Sequence, residues 1–451
     1  MSGILQLINT FPSGGFAVKN SLRFRSNASA YLSRTFGTPT SSKIFTYSCW
    51  YKIGFATANP YLIEGYVSDG ERDNISFINN TLRFDFIRAG NTVARIATNQ
   101  VFRDPSAWYH IEISVDTTQS TDSNRVKMYV NGVQITSFST ATYPSQNLDC
   151  YIDSANAVIL GRTNYSGGTY APAYFDGYMA EINFIDGQAL TPSSFGAFDA
   201  TSGVWQPVKY SGTYGTNGFY LKFSDTTSTT TLCYDYSGNG NNWTPNNISL
   251  TAGSTYDSML DSPTNYDNGG TGVGNYAVLN PLSNLYGSTI SNGNLTAYCS
   301  TIQSGASGTF RLNSGSWYFE ETIQATGSPG RNWVGFMDDS YIADNNGFSY
   351  TSKTLLYASD GSGGITGGAY GASYTTNDVI GVAFNIDTGT ITFYKNGVSQ
   401  GNLTTGASGT NWRPFVSFGA VGWQGSINFG QRPFAFSVPS GYKALNTQNL
   451  P

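Results

Sequence analysis

Twenty-eight carboxylates and a single histidine bound the chemistry open to this chain. Glycoside hydrolysis needs two carboxylates about 5–9.5 Å apart across the scissile bond. On a strand, acidic residues at i and i+2 or i+4 share a face and could supply such a pair. No Glu-x-Asp-x-Glu cluster occurs. Glu181 and Asp186 are five residues apart and fall on opposite faces, and the adjacent pairs Glu320-Glu321 and Asp338-Asp339 split likewise. A Ser-His-Asp or Cys-His mechanism would have to use His110, which stands in a strand-like run beside Trp108 and Ile111 and reads as structural. One histidine also excludes a histidine metal cluster. We therefore expect no enzyme and no obligatory cofactor.

Binding chemistry is better represented. Sugar recognition uses exposed aromatic rings flanked by Asn, Asp or Gln, and aromatics stand in loop-like stretches at Tyr66, Tyr165, Tyr170, Tyr341, Tyr350, Tyr370, Tyr374 and Trp423. The competing reading of each is loop packing or subunit contact. By contrast Trp50, Trp108, Trp317 and Trp333 fall in alternating runs and are expected in the core. Asp69, Asp73 and Asp153 lie in loops, where Asp is favoured because it bonds its own backbone. Cys49, Cys150, Cys233 and Cys299 are widely spaced with no Cys-x-x-Cys pair, so they read as buried free thiols rather than metal ligands.

Composition narrows the partners. Charged residues are 11% of the chain, net charge is -5 and no Lys/Arg run occurs, so phosphate neutralisation and hence nucleic-acid binding are not expected. No apolar stretch approaches the roughly 18 residues of a membrane span, and the N-terminal twenty residues lack the basic region of a signal peptide. Aromatics at 15% exclude a disordered composition despite the low charge. Tyr-rich loops also predict oligomers, since unpaired aromatic loops would form sticky patches; a homotrimer is the working expectation.

The elements that must position these residues are strands. Phe45-Thr46-Tyr47-Ser48-Cys49-Trp50-Tyr51 alternates with period two. The clearest unit is Trp108-Tyr109-His110-Ile111-Glu112-Ile113-Ser114-Val115, a polar loop, Val126-Lys127-Met128-Tyr129-Val130, then Asn131-Gly132 and Val133-Gln134-Ile135. Asn-Gly between alternating runs signals a hairpin, because both turn positions need positive φ. A second such unit runs from Val379 to Asn396-Gly397. No helical stripe of useful length appears. At 451 residues one core is too few. The fold expected is all-β: two antiparallel β-sandwiches of jelly-roll or concanavalin A-like type in tandem. The expected division is a docking segment at 1–19, a first sandwich at 20–250, a connector at 251–275 and a second sandwich at 276–451.

The first half resembles the laminin-G-like (concanavalin A-like) family through Trp108-Tyr109-His110 to Val115, Val126 to Gly132, and Phe175-Asp176-Gly177-Tyr178-Met179-Ala180-Glu181-Ile182. The second resembles the SPRY domain through Gly315-Ser316-Trp317-Tyr318-Phe319-Glu320, Trp333-Val334-Gly335-Phe336, Asp378 to Asn385, Gly389-Thr390-Ile391-Thr392-Phe393-Tyr394-Lys395-Asn396-Gly397-Val398, and Asn428-Phe429-Gly430-Gln431-Arg432-Pro433-Phe434. The first resemblance implies calcium as an option at Asp69, Asp73 and Asp153, since a hard cation takes oxygen ligands. The second implies binding through loops at one rim. The pairing is similar to bacteriophage virion proteins of the tail-fibre or appendage kind, without a recognisable tail-anchoring domain or coiled-coil shaft. It implies a non-enzymatic virion surface protein, assembled in the host cytoplasm and released by lysis, that contacts other virion proteins and attaches to a host-surface glycan or receptor. The alternatives are a structural capsid or tail decoration and a polysaccharide hydrolase.

Overall fold

Period-two alternation becomes four large antiparallel sheets, and 47% of the chain is strand against 4% helix. The computed structural model describes residues 16–54, 59–167, 173–264, 272–285, 287–300, 304–328, 330–341, 352–364, 366–404 and 411–450. In the first sandwich the front sheet runs Val133–Gln134, Val126–Val130, Trp108–Asp116, Ile44–Ile53, Gly177–Asp186, Ser21–Phe24, Ser258–Met259, with Phe219–Leu221 also paired to Gly177–Asp186. The back sheet runs Phe138–Thr142, Asn91–Val101, Thr81–Arg88, Glu71–Ile78, Tyr61–Ser68, Ala157–Leu160, Tyr31–Thr35, Thr244–Asn246. Between them lies an aromatic-rich core that includes Phe45, Tyr51, Phe77, Phe84, Phe184 and Trp243. At the Asn131-Gly132 turn both residues have positive φ, 46° and 79°, as that hairpin requires. Asn396 and Gly397 repeat the geometry at 50° and 79°.

The second sandwich stacks a sheet built on Ser304–Gly308, Trp412–Phe418, Asn332–Asp338 and Thr354–Ala358 against one built on Gln424–Asn428, Ser316–Ala325, Val379–Asn385 and Thr390–Lys395. Phe319, Phe336, Phe384, Phe393, Phe418 and Phe429 fill the space between. Trp50, Trp108 and Trp317 are buried, but Trp333 is only half-buried. The reason is register: in Asn332–Asp338 the alternate residues Val334 and Phe336 take the core side, so Trp333 faces outward.

The two sandwiches meet across a buried polar seam. Trp50, Trp108, Tyr178 and Met259 of the first belong to one continuous apolar cluster with Ile290, Leu295 and Phe429 of the second. Within it Lys52 Nζ reaches Asp261 Oδ2, Asn275 Oδ1 and the Tyr276 carbonyl, each at 2.8 Å. Asp261 Oδ1 accepts from Trp108 Nε1 at 3.0 Å. Arg23 and Arg25 converge on Asp257 at 3.1 and 2.8 Å. Asp176 accepts backbone N–H bonds from Asn292 at 3.1 Å and Gly293 at 2.6 Å. Residues 257–261, read as connector, thus supply both a strand of the front sheet and the charged centre of the seam. Of the N-terminal stretch, residues 1–15 lie outside the described residues; Val18 is buried and exchanges two backbone hydrogen bonds with Thr264 Oγ1.

Candidate functional site

Cross-strand register gathers polar side chains on the outward face of the back sheet. Glu64 stands opposite Asn74, Asn74 opposite Asp85, and Asp85 opposite Arg95. The next row pairs Tyr66 with Arg72. Residues paired this way share a face, while Ile75 and Phe84 between them point to the core.

At one end of this face the loop 162–166 folds over and completes a rim. Arg72 lies over the Tyr165 ring, 4.0 Å from its centroid, a cation–π contact. Tyr66 donates to Asp69 Oδ1 at 2.9 Å. Ser166 donates to the same carboxylate through its N–H at 3.1 Å and its hydroxyl at 2.5 Å. These three bonds hold the Asp69 carboxyl below the usual carboxylate range, led by the Ser166 hydroxyl. Beneath the rim Glu64 is buried and accepts from Thr163 Oγ1 at 2.7 Å and the Asn164 N–H at 2.6 Å. Burial pushes its pKa up to about 7 against those donors and the Arg72 and Arg162 charges. The result is a preorganised cluster of an aromatic ring, a guanidinium and a carboxylate held by one another.

Of the residues singled out in the sequence, Tyr66, Asp69 and Tyr165 therefore come together. Tyr170 and Tyr350 lie outside the described residues. Tyr374 and Trp423 are corrections: they are 4% and 3% exposed, the first bonded to Asn332 and the Tyr357 carbonyl, the second packed in the second core. Loop position did not predict exposure there because the loops fold inward against the sheets. Tyr370 is half-buried against Tyr357 and Phe393, and Tyr341 is half-buried against the small Met337, Leu356, Phe415 cluster. The three aspartates do not form one centre. Asp73 is buried and neutralised by Arg88 at 2.5 Å, and Asp153 is buried beside Asn217 Nδ2 at 3.2 Å, with Asp69 engaged at the rim. No group of three or more His, Cys, Asp or Glu among the described residues is placed to hold a metal ion. Arg72, Glu64 and Ser166 escaped the sequence reading; alternation in Glu71–Ile78 could have put Arg72 on the outward face, but only register sets it beside Tyr66.

Glu64, Asp85 and His110 are each engaged within the fold. Glu64 and Asp85 are two strands apart, roughly 9.6 Å, the top of the inverting-hydrolase range. Asp85, however, is bonded by Arg83 at 2.6 Å and Arg95 at 2.7 Å, and Glu64 is fully buried. His110 is buried, with Ser48 Oγ 2.9 Å from Nε2 and Trp205 Nε1 donating to Nδ1 at 3.2 Å. An indole N–H only donates, so Nδ1 accepts, the proton sits on Nε2, and the imidazole cannot take a proton from Ser48. Burial pushes its pKa down to about 3, keeping it neutral. All four cysteines are buried, and none of them is in a disulfide.

The fold is a tandem of two antiparallel sandwich domains. Residues 25–194 match the concanavalin A-like lectin/glucanases superfamily and residues 316–432 match the SPRY domain. The chain carries a laminin-G-type concanavalin A-like domain followed by a SPRY domain. It is 29% identical over 147 residues to the E3 ubiquitin-protein ligase RKP of Arabidopsis thaliana, covering 29% of this chain and 10% of that protein. It is 32% identical over 141 residues to Ran-binding protein 9 of Homo sapiens, covering 30% and 19%. The chain thus spans a fifth or less of the length of these two relatives. The solved SPRY domain of human HERC1 covers 33% of this chain and 96% of its own, with 21% identity and a TM-score of 0.30.

Proposed function

We propose that this chain is a non-enzymatic attachment protein of a bacteriophage virion, a tail fibre or appendage, that binds host-surface glycan through the rim of its first domain. The observation that carries the glycan part is the Tyr66–Asp69–Arg72–Tyr165–Ser166 cluster, where ring, guanidinium and carboxylate are held in place by one another. Such preorganisation lowers the ordering cost of binding. The occupied hydrogen-bonding positions of Asp85, Glu64 and His110 support binding over turnover. The virion assignment rests on the resemblance of the domain pairing, and other virion proteins and further copies of the chain are the partners it implies. Within this reading the buried seam makes the two sandwiches one rigid arm, suited to carrying load between a particle and a cell.

Glycan-array binding with the full chain tests the first part: wild type should retain envelope glycans, and Tyr165→Ala and Arg72→Ala should each lose them while melting normally. Retention unchanged in both variants rejects the rim. Reducing-sugar release from the same glycans, abolished by Glu64→Gln, would replace attachment by hydrolysis. Immunogold electron microscopy of virions tests the second part, with label at the tail supporting it and unlabelled particles refuting it.

A further inference from the structure

A second cleft lies on the other side of the first domain, and nothing in the rim reading uses it. It has a volume of about 440 Å³ and is lined by Phe16, Lys19, Glu181, Lys209, Lys222 and Tyr236 among others. That size falls within the roughly 300–1,000 Å³ of small-ligand sites. Nine lysines occur in the whole chain, whose net charge is -5. Three of them face this one cleft, and none of the three forms an ion pair among the described residues. Lys222 Nζ lies 3.7 Å from the Tyr236 ring centroid, which orients its ammonium. Opposing the lysines is one carboxylate, Glu181, only 6% exposed and accepting from Tyr220 Oη at 2.7 Å.

The backbone is shaped to place that carboxylate. Register with Ile44–Ile53 slips between Ala180 and Asn183, a β-bulge, and Glu181 adopts φ 49° within a strand otherwise buried along its length. A non-glycine residue in the left-handed region costs of order 1–3 kcal/mol and persists only where the surroundings hold it. Bulges re-aim side chains, and this one turns Glu181 to Tyr220 and the cleft instead of to the inter-sheet core, into which its neighbours Met179 and Ile182 point. The balance is two positive charges in excess around one nearly buried acceptor, with Phe16 and Tyr236 as apolar flanks.

We infer that this cleft binds a carboxylate-bearing sugar, a uronic acid residue, with its carboxylate among Lys19, Lys209 and Lys222 and a ring hydroxyl donated to Glu181. A bare anion leaves Glu181 opposed to like charge, whereas a sugar acid brings both the anion and the hydroxyl donor that a buried carboxylate needs. The tyrosine and phenylalanine rings suit the C–H face of a pyranose. The choice of a saccharide rests on the glycan-binding reading; the site itself is separate from the rim.

Calorimetric titration of the full chain with D-glucuronate, D-glucose and inorganic phosphate tests it. Glucuronate should bind, and the double substitution Lys209→Ala with Lys222→Ala should weaken it about 10-fold, with an unchanged melting temperature. Lys209→Arg with Lys222→Arg should restore most of the affinity, and Glu181→Gln should alter glucuronate binding without affecting folding. Arg72→Ala should leave it untouched, so glycan retention on the array that survives Arg72→Ala and Tyr165→Ala would sink the rim and not this site. Absence of glucuronate binding, or its survival in the double alanine variant, overturns the proposal. Glucose bound as well as glucuronate removes the carboxylate from it. Phosphate bound as well and lost in the same variant reduces the cleft to a simple anion site and overturns it too.

Discussion

Replacing Asp261 by Ala puts the seam to its hardest test. Asp261 and Lys52 have side chains with no exposed surface and meet at 2.8 Å. Truncation strips Lys52 of its counter-charge and leaves it two neutral acceptors, Asn275 Oδ1 and the Tyr276 carbonyl. It also orphans the Trp108 indole N–H and the Tyr276 backbone N–H, which donate to Asp261 Oδ1 at 3.0 and 3.2 Å. Leaving one charge of a buried pair uncompensated costs about 3–5 kcal/mol, and each buried donor left without a partner adds about 1–3 kcal/mol. The lysine has an escape: burial already lowers its pKa, against the pull of Asp261. Shedding the proton of a group that titrates near about 10.4 costs about 5 kcal/mol at pH 7, which caps the charge part. We expect Asp261→Ala to destabilise the seam by about 5 kcal/mol or more. Urea unfolding followed by tryptophan fluorescence should then change from one transition in the wild type to two, as the sandwiches uncouple. The double substitution Lys52→Met with Asp261→Leu removes both charges and should recover most of the loss. A single-variant loss below about 1 kcal/mol, or a double variant as damaged as the single, would refute this account of the seam.

Other outcomes follow from the same geometry. Glu112 is buried with neither carboxylate oxygen bonded, and burial pushes its pKa up to about 9. The folded chain therefore holds a proton that the unfolded chain releases near about 4.3, so its contribution is fully present below that pH and is lost as pH rises through about 9; Glu112→Gln should flatten the fall in urea midpoint between pH 5 and 9, and an unchanged slope counts against it. Gly293 has φ 70°, its N–H bonds Asp176, and an added Cβ would stand 2.7 Å from the fully buried Tyr178 ring. Gly293→Val should lower stability by about 2 kcal/mol or more, read by thermal melting, whereas Gly253→Val, with φ 100° but open space around it, should cost only the backbone strain. Asp69→Asn should weaken glycan retention less than Tyr165→Ala, because the amide oxygen still accepts from Tyr66 and the Ser166 N–H; equal losses would move the recognition from the ring to the charge.

Much of the architecture was legible because its causes are local. Alternation in Phe45 to Tyr51 and Trp108 to Val115 is a property of consecutive residues, and it gave the strands Ile44–Ile53 and Trp108–Asp116. Asn131-Gly132 and Asn396-Gly397 needed no partner to demand positive φ. The four cysteines, read as buried thiols, are buried and outside any disulfide. Burial of loop residues was not legible: Tyr374 and Trp423 stand in segments that fold back onto the sheets, a matter of packing rather than pattern. The rim depends on which strand lies beside which, since Arg72 meets Tyr66 through register and Tyr165 arrives from a loop almost a hundred residues away. The seam depends on it most. Asp257 and Asp261 sit in a stretch whose Ser, Thr and Asn content reads as connector, and their partners Arg23 and Lys52 lie 234 and 209 residues earlier. Residue types told what each side chain could do, but a charge becomes a lock, a ligand site or a turn former only through what the fold brings within hydrogen-bonding distance and how completely it removes water.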